Sequence, residues 1–425
     1  MSDINALRQF LDASVSAYHA TDNLVTMLDK AGYIRLYEHD AWDLVRGGKY
    51  YMVRGGTTAL AFRIPQGTPK GFMMSACHTD RPTFKIKGTE LNGTYTRLST
   101  ERYGGMLIWP WLDRPLSVAG RVVVETDNGV EAKNINIDRD LLLIPNVAIH
   151  MNRTVNDGYK WNPVVDTIPV LGGKDAAGKF WPMLEKEAGG KVLGYDLYLY
   201  VRQPASVWGI DNEYISSPAL DDLECAWGCA QGFLNAADTD SVPVLCAFDD
   251  EEVGSNSPQG AASTLLEFTL ERICLAMGLD IHTMLAQSFM VSADNAHALH
   301  PNHPEYCDPA NAPLLGAGVV LKFNACQRYT TDGVSAAVFR KICSKADVPT
   351  QTYSNRADIA GGSTLGHISL THVSVPTVDI GLAQLAMHSC YETASVADVA
   401  YLERAMTAFY STELEVTKDG GCIIR

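Results

Sequence analysis

After Asp211 the chain alternates apolar, strand-like runs with helical ones, and this alternation restricts the fold more than any other feature. SSPALDDLECAWGCAQGFLNA reads as a helix with Ser217 as N-cap and Pro218 in its first position. VPVLCAFD reads as a buried strand, SPQGAASTLLEFTLERICLAMG as a helix, and SFMVSAD and GVVLKF as strands. GVSAAVFRKICSKAD is then helical, VPTVDIG a strand, and the last helix starts at Ser395, with Asp398 three residues on completing a capping box. Continuous apolar strands separated by helices require a largely parallel sheet covered on both faces.

The beginning of the chain belongs to the same pattern. Leu7, Phe10, Leu11 and Val15 recur at helical spacing, Leu24, Met27 and Leu28 repeat it, and YYMV, TALAFRI and GFMMSACH follow as strands. From about Thr83 to Gln203 the texture changes. Pieces such as SVAGRVVVET and DLYLYVRQ alternate with Gly-, Pro- and Asn-rich turns, as in a compact β module. The expectation is one α/β domain made of residues 1–85 and 212–425, interrupted by a β-rich insert at 86–211.

Composition narrows the function. With 46% hydrophobic and 20% charged residues over 425 positions, a disordered chain is excluded. Lys and Arg number 34 against 49 Asp and Glu, a net charge of −15, which argues against a nucleic-acid partner. No apolar run reaches the roughly 18 residues of a membrane span. The opening MSDINALRQFLDASVSAYHA lacks the basic start and apolar block of a signal peptide. Ten cysteines lie mostly in apolar stretches without a C-x-x-C pair, as expected of reduced thiols in a cytoplasmic protein.

Four polar clusters fall where strands should end: His78 and Asp80 after FMMSAC, Asp249 to Glu252 after VPVLCA, Asp294, His297, His300 and His303 after SFMV, and His388 shortly after VPTVDIG. Asp221 and Asp222 add carboxylates in the first turn of their helix. In open α/β sheets ligands collect beyond the carboxyl ends of strands, so these clusters could share one crevice. Carboxylates beside apolar strands are costly unless a cation compensates them. Imidazole and carboxylate without thiolate suit a pair of divalent ions, zinc first, with manganese or cobalt as substitutes. Asp80 is spaced to hold His78 in its ligating tautomer. Glu251 and Glu252 would point to opposite faces of a strand, so only a bend brings both into one cavity, one to ligate and one to take a proton.

In order, SACHTDRP, SSPALDDL, FDDEEVGS, SADNAHALHPN, VLKFNACQRY and QLAMHS resemble the signature segments of the aspartyl aminopeptidase / aminopeptidase I family of dinuclear zinc metallopeptidases. The resemblance implies that His78, Asp221, Glu252, Asp294 and His388 are metal ligands, with Asp221 bridging, and that Glu251 is the general base. It implies that Asp80 orients His78, and that His150 enters a neighbouring subunit's active site. It places His297, His300, Lys322, Arg356 and Asp358 near the substrate, Lys322 being the candidate selector of acidic residues. The implied fold is a phosphorylase/hydrolase-like mixed sheet with helices on both faces, interrupted by a β-rich dimerisation domain. The implied assembly is a homo-oligomer, a dodecamer built from dimers. LDDL and MHSCYETAS depart from the pattern: Asp222 is an extra carboxylate, and Glu392 is retained near His388. The expected activity is release of single residues from peptides with a free N-terminus, Asp and Glu preferred, without nucleic acid or membrane. A neutral-preferring aminopeptidase, an N-acyl amino acid amidohydrolase and a non-catalytic assembly protein are the alternatives.

Overall fold

The computed structural model describes residues 3–425. Its largest element is a nine-stranded mixed sheet. The strands run, edge to edge, Ile34–Arg35, Lys49–Arg54, Thr58–Arg63, Val242–Phe248, Phe72–His78, Phe289–Ala293, Thr377–Gly381, Val319–Phe323 and Thr350–Ser354. The four strands from Val242–Phe248 to Thr377–Gly381 are mutually parallel, and the antiparallel pairings lie to either side of them. These central strands are buried throughout, which is why they read as unbroken apolar runs.

Side-chain alternation divides each strand between two cores. Met73 and Cys77 face the core beneath helices Ile4–Ala13, Ala17–Lys30, Leu220–Asn235, Gly333–Lys345 and Val396–Tyr410. Phe72, Met74 and Ala76 face the core beneath Leu265–Met277 and Ile281–Ala286. Both faces are therefore covered, and chemistry is left to the ends of the strands. His78, Phe248, Ala293 and Gly381 end four neighbouring parallel strands at the same end of the sheet.

The middle of the chain forms an antiparallel six-stranded sheet, ordered Gly129–Asn136, Leu116–Thr126, Val192–Val201, Thr83–Asn92, Tyr95–Tyr103 and Val170–Gly173. It packs with helix Phe180–Ala188 around its own core of Phe84, Trp111, Leu116, Val118, Leu184 and Leu197. A third sheet, not anticipated in the sequence, joins Ser206–Trp208, Tyr214–Ser217, Glu392–Ser395, Ala383–Leu385 and Ala296–His297. Its strands are too short to register as hydrophobic periodicity. Among the described residues no helix is long and apolar enough to cross a membrane.

Three local expectations are corrected. Ser217 is not an N-cap: it ends a strand paired with Glu392, and the helix begins at Leu220 after Ala219 in the left-handed region. The Ser395 side chain caps its helix, but Asp398 does not return the bond. Its two oxygens take the N–H groups of Gly316 and Gly318 at 2.7 and 2.8 Å. The segment from Ser257 to Thr264 is turns, and its helix starts only at Leu265.

Candidate metal centre

Each cluster reaches the crevice for a local reason. His78 is the last residue of its strand and Asp294 directly follows Ala293, so the sheet itself aims both. Asp221 and Asp222 depart from helical geometry (φ −80°, ψ 110° and φ −115°, ψ 19°) across a cis peptide bond, and their carboxylates are buried. The bend demanded by two adjacent glutamates is at Asp250, whose left-handed backbone (φ 59°) opens a 3-10 turn at Glu251–Val253. His388 also has positive φ (65°), in a tight turn after the strand Ala383–Leu385.

The donor atoms converge in two groups that share Asp221. His78 Nε2 lies 3.4 Å from Asp221 Oδ1 and 4.0 Å from Asp294 Oδ1. His388 Nε2 lies 3.6 Å from Asp221 Oδ2 and 3.2 Å from Glu252 Oε2. In each group, one ligand atom per residue falls within 4.8 Å of all the others, and Asp222 joins the group of His78. Asp221 Oδ1, Asp222 Oδ1 and Glu252 Oε1 are buried without a hydrogen-bond partner. Unpartnered buried carboxylate oxygens are expensive, and a cation is the compensation this donor set can take. Burial, reinforced by the neighbouring carboxylates, pushes the carboxyls of Asp222, Glu252 and Asp294 above the ordinary range. Asp221 goes the other way: burial alone would raise it, and the His78 imidazole holds it low. Nitrogen and oxygen donors without thiolate fit zinc.

Asp80 does more than its spacing suggested. Its Oδ1 stands 3.3 Å from His78 Nδ1 and accepts the Glu251 N–H at 3.1 Å, while Oδ2 accepts the Glu252 N–H at 3.1 Å. One buried carboxylate thus fixes an imidazole and the turn carrying both glutamates. Sequence reasoning assigned nothing to two further residues here. Glu392 accepts the N–H groups of Asp221 (3.0 Å) and His388 (2.7 Å), one on each oxygen. Tyr103, from the β-rich sheet, places its hydroxyl 2.7 Å from Asp80 Oδ2 and 2.8 Å from Asp250 Oδ1. Glu392 was visible only as an acid four residues after His388, and nothing in the local sequence marks Tyr103.

His78, Asp221, Glu251, Glu252, Asp294 and His388 open on a cavity of about 180 Å³ that His297 and Lys322 also line. Lys322 is buried, its ammonium donating to the carbonyls of Asp294 (2.7 Å) and Asn295 (3.3 Å) and lying 3.4 Å from Asp294 Oδ2. Burial alone would lower its pKa, and the Asp294 charge more than offsets this, so the amine stays protonated. An adjoining cavity of about 290 Å³ shares His297 and Tyr353 with the first and contains His300 and Arg356. Arg356 is engaged in a two-bond pair with Asp358 (2.6 and 2.7 Å), which lies outside both cavities. His150 is exposed on the β-rich region and lines neither cavity of its own chain.

Residues 10–410 match the family described as aminopeptidase I zinc metalloprotease (M18). A Clostridium novyi (strain NT) protein named "Probable M18 family aminopeptidase 2" is 42% identical over 424 residues, covering 96% of this chain and 98% of that one. Among solved structures, "Cryo-EM structure of the Ape4 and Nbr1 complex" superimposes with a TM-score of 0.92 at 32% identity, covering 96% of this chain and 85% of that one. "Structure of S. cerevesiae mApe1 dodecamer" gives 0.84 at 26% identity, covering 96% of both.

Proposed function

The chain belongs to the aminopeptidase I zinc metalloprotease family, M18, and on that premise we propose that its two donor groups hold two divalent ions, most simply zinc, for release of single N-terminal residues from peptides, acidic ones first. The observation that carries the two-ion reading is the sharing of Asp221 between groups whose buried oxygens lack partners. His78 and Asp294 would hold one ion, Glu252 and His388 the other, with Asp221 between them. Bound there, zinc supplies a Lewis acid for the scissile carbonyl and lowers the pKa of water.

Glu251 is the proposed general base. Its carboxyl opens on the cavity, and burial raises its pKa to about 8, with His78 opposing and Asp294, Asp80 and Asp221 adding to the rise. Its backbone is pinned by Asp80, so the carboxylate can take a proton from water and return it to the leaving amine without the turn moving. Asp80 orients His78 through Nδ1 and leaves Nε2 facing Asp221 and Asp294.

Acidic preference rests on Lys322, the single lysine or arginine among the described residues lining the cavity. His297, His300 and the Arg356–Asp358 pair would shape the outer pocket. A neutral preference has one observation in its favour: the Lys322 ammonium is already held by two carbonyls and Asp294. We assign residues 86–211 to dimerisation. Ile149 and Met151, 48% and 83% exposed, flank His150 in a segment with an apolar surface a monomer would not favour. His150 would complete a partner's site, and a dodecamer like that of the yeast relative is the proposed assembly. The ten free thiols support a cytoplasmic setting.

Initial rates on aminoacyl chromogenic substrates of Asp, Glu, Leu, Ala and Lys, each free or N-acetylated, test this. Faster cleavage of free Asp and Glu is expected. Free Leu ahead of Asp would replace the acidic preference with a neutral one, and cleavage of acetylated substrates alone would indicate an amidohydrolase.

A further inference from the structure

The two donor groups are built on different supports. His78 and Asp294 stand at the ends of parallel strands, and the Asp294 N–H continues the ladder to the Ile380 carbonyl at 3.0 Å. Glu252 and His388 are off the sheet, in turns entered through left-handed residues Asp250 and Ala386. A segment of the insert, Tyr103 to Pro110, lies against both. The Tyr103 hydroxyl meets Asp80 at Oδ2, the oxygen that also takes the Glu252 N–H, while Oδ1 serves His78 and Glu251. Gly104 has φ +77° and packs so closely that a Cβ there would stand 3.2 Å from Glu252 Cβ and 3.3 Å from its carbonyl oxygen. The Leu107 N–H donates to the His388 carbonyl at 3.0 Å, and the Cys390 thiol to the Pro110 carbonyl at 3.1 Å.

We propose that Gly104–Pro110 is a strap by which the insert sets the affinity of the metal position built from Glu252 and His388, while the position built from His78 and Asp294 rests on the sheet and on Asp80. The proposal rests on the two-ion reading above. These are positioning residues: they touch the ligands' backbone and neighbours, not a substrate. Outer partners of metal ligands commonly govern affinity by about 10–100-fold, and of the ligands Gly104 and the Leu107 N–H meet only Glu252 and His388.

The test is zinc bound per subunit against free zinc, set with a competing chelator, for the full-length chain and its Gly104→Ala variant. Two ions are expected in the unaltered chain, and in the variant one should weaken about 10–100-fold while the other keeps its dissociation constant. Made in a His388→Ala background, the same substitution should cause no further loss, since the ion it acts on is already gone. Two ions bound unchanged in the variant, or both weakened alike, would overturn the strap while leaving the two-ion reading intact. Fewer than two ions in the unaltered chain would overturn that reading and the strap with it. If Gly104→Ala does not fold, Cys390→Ala removes the thiol's bond to the Pro110 carbonyl and is read by the same titration and the same outcomes.

Discussion

Asp221 is where the proposed centre is most exposed to test. Because its two oxygens face different histidines, at 3.4 and 3.6 Å, Asp221→Ala should weaken both ions, whereas Asp294→Ala should weaken one. Zinc content by elemental analysis after dialysis separates these outcomes, and equal losses in the two variants would contradict a shared ligand. Glu251 makes the complementary case. Glu251→Gln keeps the backbone bond to Asp80 and removes a base, so zinc content should hold while turnover falls by about 10²–10⁴-fold. Turnover close to that of the unaltered chain would remove Glu251 from its proposed role.

At the level of elements, the helix Val396–Tyr410 is tied to the rest of the fold by a buried acid. Burial raises the Asp398 carboxyl to about 6, against the pull of the Gly316 and Gly318 N–H groups. A folded-state pKa above the unfolded one means that the charged form costs stability above pH 6. That cost is relieved as pH falls from about 6 towards 4, by up to ~1.4 kcal/mol per pH unit. Denaturant unfolding of the unaltered chain and Asp398→Asn, compared at pH 7.5 and 5, should therefore shift in favour of the unaltered chain on acidification. A difference independent of pH would contradict it. The same helix shows what a sequence can and cannot reveal. Its apolar spacing and its Ser395 cap were legible because both are local, while the partner of Asp398 lies about 80 positions away in a loop without periodicity. The central strands were legible because burial on both faces leaves continuous apolar runs. The break at Asp221–Asp222 was not, since Ser217-Pro218 is also a good helix start, and only pairing with Glu392 makes Ser217 a strand end. For the site, the polar clusters at strand ends announced themselves. The double duties of Asp80 and Glu392 depend on backbone N–H groups that any residue type but proline could supply.

For the whole molecule, the insert is more than an appendage to the sheet. Tyr103 and the Leu107 N–H bring it into contact with the centre of its own chain, while His150 faces outward. If His150 completes a partner's site, His150→Phe should retain zinc content and assembly mass by light scattering, yet lower kcat. Unchanged kcat would separate the insert's outer segment from catalysis. Ligand binding to the folded state alone adds about 2.7 kcal/mol at a hundredfold excess over Kd, so chelation should also lower Tm. The decisive measurement for the two-ion centre is activity on a free aspartyl substrate as zinc is titrated into the chelated protein. The rate should rise until two ions are bound per subunit and then level off, with the N-acetylated substrate inert throughout. Saturation at a single ion, or restored cleavage of the acetylated substrate alone, would contradict it.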